Sequence, residues 1–222
     1  VITSGGAPPP GPPCGLTITG PDEVDHYCAA YVPSDAATCG VFPAPNITLT
    51  VACAAAGAAL RWSIARGPTN ASIPGSNTGT SVDIQGDAAS GAQGDVTVQV
   101  TDGSCTSTHS LTVREPSQMT AVENPSSGPT FIEDIITYTV LDQFGNPMGA
   151  NICVDETITV CANNQPGAGF NFGDAPTNAS GQVRDTLRAS AAGGLPADMC
   201  VKLDQVLTAG GCGPLLHNTI LF

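Results

Sequence analysis

The stretch Val96-Thr-Val-Gln-Val100, followed by Asp102-Gly103 and then Ser110-Leu-Thr-Val113, decides how the chain is read. Apolar and polar residues alternate at period 2. Val96, Val98 and Val100 therefore share one face of an extended segment, and Thr97 and Gln99 share the other. Leu111 and Val113 repeat the pattern. Asp102-Gly103 supplies the turn, since Gly accepts positive φ and Asp bonds to its own following backbone. The expectation is an antiparallel hairpin with one dry face and one wet face.

The same signal recurs toward the N-terminus in Leu16-Thr-Ile18, Ile47-Thr-Leu-Thr-Val51, Leu60-Arg-Trp-Ser-Ile64 and Ser81-Val-Asp-Ile84. Six short strands over roughly 100 residues, separated by Gly, Pro and Asn turns and lacking a helical period, predict a β-sandwich with Greek-key connections. The Ala-rich run Ala52 to Ala59 could form one helical turn, but Gly57 and its β-branched flanks oppose that. Beyond Arg114-Glu-Pro116, where Pro116 stops a strand, a second set follows. It comprises Gln118 to Val122, Ile135 to Val140, Ile152 to Val154, Gln182 to Leu187, Met199 to Leu203 and Asn218 to Phe222. Ile220, Leu221 and Phe222 are thus expected in a terminal strand, with no tail, membrane anchor or lipidation box behind them. The expected organisation is an arm at 1–15, one immunoglobulin-like β-sandwich at 16–116 and a second at 117–222. The arm, Val1 to Gly15, is Pro/Gly-rich without periodicity, so it favours extended polyproline II.

Six Lys and Arg against nineteen Asp and Glu give a net charge of −13. With no basic face to neutralise phosphates, nucleic acid and direct membrane insertion are excluded as expectations. The longest nearly apolar run, Val51 to Leu60, falls far short of the roughly 20 residues that cross a bilayer as a helix. Nine cysteines without zinc spacing point to disulfides and a secreted, extracellular or cell-surface location.

Thr137-Tyr-Thr-Val-Leu-Asp-Gln-Phe-Gly-Asn-Pro-Met-Gly149 resembles the bacterial immunoglobulin-like domains of invasin and intimin adhesins, in which a strand ends in Asp and a Gly-Asn-Pro turn follows. Thr177-Asn-Ala-Ser-Gly-Gln-Val183, Leu187 and Ala191-Ala-Gly-Gly194 look like that family's later Thr-x-x-x-Gly strand start and Ala-Gly turn, in the same order. The resemblance covers 117–222. It implies a bacterial or archaeal source and a structural or adhesive role. Residues 16–116 are more loosely similar to other bacterial immunoglobulin-like repeats. There Trp62, between Cys53 and Cys105, suggests a core Trp beside a disulfide. Cys105 departs from the antibody pattern by following the Asp102-Gly103 turn.

The cysteines divide as four, four and one. Cys28, Cys39, Cys53 and Cys105 fall in the first module, Cys153, Cys161, Cys200 and Cys212 in the second, and Cys14 in the arm. Each module allows three connectivities. A local loop favours Cys28 with Cys39, and the Trp62 argument favours Cys53 with Cys105. Cys153 with Cys200 and Cys161 with Cys212 is one scheme of three in the second module. Cys14 is left over, either as a free thiol, in a local pairing that changes this scheme, or in a link to another subunit.

No catalytic constellation emerges. His26, His109 and His217 have no partner at i+2 or i+4 and read as surface or turn residues. Gly167-Ala-Gly-Phe-Asn-Phe-Gly173 reads as a loop, and Lys202 as an edge or solvent-facing charge. Asp22-Glu-Val-Asp25 and Glu133-Asp134 offer oxygen ligands but match no 12-residue calcium loop, so they read as acidic turns and no cofactor is expected. Asn46, Asn70 and Asn178 head N-glycosylation triplets. Three functions are then weighed. The first is a repeating subunit of a surface fibre, self-associating as a homo-polymer through strand addition by the arm beginning Val1-Ile2. The second is a monomeric module binding a glycan or another surface protein, with Tyr27, Tyr31, Phe170 and Phe172 as its stacking faces. The third is an enzyme, which no residue set nominates.

Overall fold

The computed structural model describes residues 15–26, 46–52, 59–128, 131–160, 168–171, 175–190, 202–210 and 212–221. Every regular element among them is a strand. The first eight are β1 (Thr17–Thr19), β2 (Glu23–Asp25), β3 (Asn46–Ala52), β4 (Arg61–Arg66), β5 (Ala71–Ser72), β6 (Ser81–Gly86), β7 (Val96–Thr101) and β8 (Thr106–Arg114). They form two four-stranded sheets, ordered β1-β3-β6-β5 and β2-β8-β7-β4. Relabelled A, A′, B, C, D, E, F and G in chain order, these are the ABED and CFG sheets of an immunoglobulin-like sandwich, with A′ beside G. Alternation sets the faces. Along β7 the burial runs strictly in and out, with Val96, Val98 and Val100 fully enclosed. They pack with Leu49, Ile84, Leu111, Val113 and Trp62 into one core.

The remaining strands are β9 (Pro116–Gly128), β10 (Phe131–Asp142), β11 (Cys153–Val160), β12 (Ala168–Asn171), β13 (Ala175–Pro176), β14 (Gln182–Ser190), β15 (Lys202–Ala209) and β16 (Cys212–Leu221). Their sheets run β12-β14-β10-β9 and β13-β11-β15-β16, again ABED and CFG with a short strand added beside C. A separate core gathers Met119, Ile136, Tyr138, Val140, Met148, Ile152, Val154, Leu207 and Ala209 from both sheets.

Several expectations are corrected. Residues 168–171, inside the glycine-rich segment read as a loop, pair with β14, because backbone hydrogen bonding tolerates glycine where a neighbouring strand supplies the ladder. The strand read as Met199 to Leu203 continues to Ala209, and the terminal strand is described from Cys212. β9 and β10 pair through Gly128 and Phe131, so both extend beyond the apolar alternation that marked them. The short strands β2, β5 and β13 carry too few residues to show a period.

Candidate functional site

Four clusters of polar side chains are built into this frame. The first is the seam between β2 and β8, a parallel pair of three residues each. A pairing this short makes few ladder bonds, and charge supplements them. Arg114 Nη1 lies 3.0 Å from Glu23 Oε2, and Nη2 lies 3.0 Å from Asp25 Oδ1. His109 Nε2 sits 3.2 Å from Asp22 Oδ1 and 3.0 Å from the Pro21 carbonyl. Burial pushes the Asp25 carboxyl above the usual carboxylate range, against the pull of the Arg114 guanidinium, and the Asp142 carboxylate adds to the push. The groove beside the seam, lined by Pro21, Asp22, Glu23, Asp25, Ile47 and Arg114, encloses about 440 Å³.

The second cluster joins the two sheet pairs. Gln143, just past β10, donates from Nε2 to the carbonyls of Val113 (2.8 Å) and Ser90 (3.3 Å). Its Oε1 accepts from the amide of Glu115 at 3.1 Å. Ser90 Oγ in turn accepts from the Val113 amide at 2.9 Å. One amide side chain thus bonds three backbone groups, those of Val113, Ser90 and Glu115, beside the single residue that separates β8 from β9.

The third cluster holds the residues that carry the family resemblance. Asp142 is fully buried, and its Oδ1 accepts from the amides of Phe144 and Asn146, each at 2.9 Å. The carboxylate thereby templates the turn, with Gly145 at φ +83°. Thr177 is 3% exposed; its Oγ1 donates to the Gly149 carbonyl at 2.8 Å and accepts from the Ile152 amide at 3.0 Å. Gly181, four residues on, has φ +69°, and a Cβ there would fall onto the Met148 carbonyl oxygen. The Thr-x-x-x-Gly spacing therefore pins the 148–152 loop from two sides.

The fourth cluster was missed. Glu156 of β11 and Asp185 of β14 hydrogen-bond across the second core, and burial raises the Asp185 carboxyl above the usual range. Alternation in Val183-Arg-Asp-Thr-Leu187 and in Val154-Asp-Glu156 places both acids inward, a signal the sequence carries.

Other expected residues are placed as follows. Trp62 is 1% exposed, and its Nε1 donates to the Gly79 carbonyl at 2.9 Å. Asp102 Oδ1 accepts from Ser104 N and Oγ at 2.9 Å and from Cys105 N at 2.8 Å, bonds that hold its carboxyl below the ordinary range. Cys105, Cys153 and Cys212 are disulfide-bonded. Cys14, Cys28, Cys39, Cys53, Cys161 and Cys200 lie outside the described residues, as do Val1, Ile2, Tyr27, Tyr31, Phe172, Phe222 and most of the Ala52–Ala59 run. Phe170 lies in β12, and Lys202, His217, Ile220 and Leu221 lie in β15 and β16. His26 and His109 are not free surface groups, because the parallel seam brings backbone carbonyls and carboxylates to them. His26 Nδ1 is 3.2 Å from the Gly86 carbonyl. The segments read as acidic turns lie instead at β2 and within β10, because cross-strand partners engage them: Asp22, Glu23 and Asp25 face His109 and Arg114, and Asp134, 2% exposed, accepts from the Asn124 amide at 3.0 Å. Asn46 is exposed at the start of β3, and Asn178 is exposed, with Oδ1 accepting from the Ser180 and Gln182 amides. Asn70 Nδ2 donates to the Ala88 and Ala89 carbonyls, bonds that a glycan there would displace. Among the described residues, no group of three or more His, Cys, Asp or Glu could hold a metal ion. No helix among them is long and apolar enough to cross a membrane.

No family model matches the chain, and no curated protein matches its sequence. Among solved structures it is similar to the Yersinia pseudotuberculosis adhesin InvE, at 12% identity over 94% of this chain and 58% of that one, with a TM-score of 0.38. It is similar to the Escherichia coli adhesin FdeC, at 14% identity over 94% of this chain and 64% of that one, with a TM-score of 0.39. Domains 4 and 5 of the S-layer protein SbsC share 13% identity over 93% of this chain and 96% of that one, with a TM-score of 0.39. This chain spans less than two thirds of the length of either adhesin structure.

Proposed function

We propose that this chain is an extracellular or cell-surface structural and adhesive protein of a prokaryote, made of two tandem immunoglobulin-like domains, 16–116 and 117–222, with an arm at 1–15. It is no enzyme in this reading; its paired acids and bases hold strands together and, among the described residues, leave no nucleophile beside a base. Disulfides within each domain compensate for the scarcity of aromatic residues, with Cys28–Cys39, Cys53–Cys105, Cys153–Cys200 and Cys161–Cys212 as the proposed map.

The finer proposal is that copies join head to tail into a fibre. The observation that supports it is the edge of β9. This thirteen-residue strand is the outermost of its sheet, its residues from Val122 to Ser127 are all exposed, and Val122 is 68% exposed. An exposed sheet edge of this kind can take an added strand without needing a pocket. The arm of a neighbour, beginning Val1-Ile2, is the strand proposed to fill it, and a contact between unlike surfaces that does not close yields a filament. The test is sedimentation of the full chain beside a variant lacking residues 1–15. Loss of high-mass species on deletion supports the reading. Undiminished assembly overturns it, and a monodisperse full chain that binds a glycan array favours a monomeric binding module instead.

A further inference from the structure

Glu156 and Asp185 belong to opposite sheets of the second pair. In β11, Val154 lies opposite Ala209 and Glu156 opposite Leu207 of β15, all on the face that builds the core. In β14, Val183 lies opposite Tyr138 and Asp185 opposite Ile136 of β10, again on the core face. The two acids therefore enter one interior from two sides, and their side chains hydrogen-bond there. Tyr138, Val154, Val183 and Leu207 surround them, and Glu156 Oε2 is buried. The void among these residues is about 10 Å³, the lower limit for a single water molecule, and both acids are half-buried beside it. Two carboxylates are acceptors only. A hydrogen bond between two carboxyl groups needs one proton held between them.

We propose that Glu156 and Asp185 share a proton and form an acid-dependent clasp between the two sheets, closing this sandwich in acid and loosening it as the pH rises. Burial favours the proton, and Arg184, next to Asp185 on β14 and the one cationic side chain at the void among the described residues, opposes it. β10 contributes Asp134 and Tyr138 to the same interior face, β9 carries Glu123 across Ile136 from Asp185, and β11 carries Asp155 on its opposite face. β15 presents Leu207 at the level of Glu156. The sign follows from linkage: the folded chain holds the proton more tightly than the unfolded chain. The stabilisation is therefore complete below the ordinary carboxylate range and is lost as pH rises through the raised folded value.

The experiment is urea unfolding of the full chain across a pH series, for the unmodified protein, Asp185→Asn and Glu156→Gln. An amide supplies the clasp's donor without titrating. Between the unfolded and folded values one proton is released on unfolding, so the unfolding constant of the unmodified protein rises about tenfold per pH unit beyond any rise in the variants. Variants that keep the full pH dependence of the unmodified protein overturn the clasp. Should neither variant fold, carboxyl-carbon NMR of the unmodified chain decides. Glu156 and Asp185 titrating together above the other carboxyls supports the clasp; both titrating in the ordinary range overturns it.

Discussion

Replacing Thr177 by Val removes a hydroxyl and leaves the shape of the side chain nearly unchanged. The residue is 3% exposed, so no solvent takes the hydroxyl's place. Two hydrogen bonds vanish, the 2.8 Å bond to the Gly149 carbonyl and the 3.0 Å bond from the Ile152 amide. Ile152 is itself fully buried, so its amide is stranded. At about 1 kcal/mol per bond and about 1 to 3 kcal/mol for the stranded amide, counted partly together, the loss is about 2 to 4 kcal/mol. With a urea slope of about 1 to 3 kcal/mol per molar, the unfolding midpoint falls by about 1 M or more. Thr177→Ser keeps both bonds and loses one methyl, at about 1 kcal/mol. Circular dichroism follows both sheet pairs. Fluorescence of Trp62, the single tryptophan, follows the first core alone. The circular-dichroism transition of the Val variant should therefore split or shift while the fluorescence midpoint stays in place. A Ser variant as damaged as the Val variant would refute the hydrogen-bond argument. A fluorescence midpoint that moves in step would refute the division into two domains.

Gly181→Ala should cost about 2 to 4 kcal/mol in the same assay, since a left-handed backbone and a Cβ driven onto the Met148 carbonyl both oppose it, whereas Gly145→Ala, where nothing lies within 4 Å, bears the backbone term alone. Gln143→Ala removes its bonds to the Val113 and Ser90 carbonyls and from the Glu115 amide; small-angle scattering should then show a wider spread of overall dimensions, and an unchanged profile would mean the junction is held by other contacts.

The sequence made much of this architecture legible because its strands are amphipathic. Val96, Val98 and Val100 alternate without a break, and Trp62 stands in a run of alternating neighbours, so both could be assigned to a dry face before any pairing was known. The Asp142 turn was equally readable, since Asp, Gly and Pro each act on their own backbone. What stayed hidden depends on partners distant in sequence. β2 is three residues long and is held parallel to β8 by Arg114 and His109, so no local period announces it. β12 lies in a glycine-rich segment whose strand character comes from β14. The inward positions of Glu156 and Asp185 follow from alternation, but their meeting requires knowing that β11 and β14 belong to facing sheets. His26 and His109 looked solitary because their acceptors lie 60 and 88 residues away.

Negative-stain electron microscopy of native, unreduced material tests the central claim most directly. The account predicts filaments whose repeat matches the length of two end-to-end sandwiches. Isolated two-lobed particles at every concentration would contradict assembly through the arm and the β9 edge.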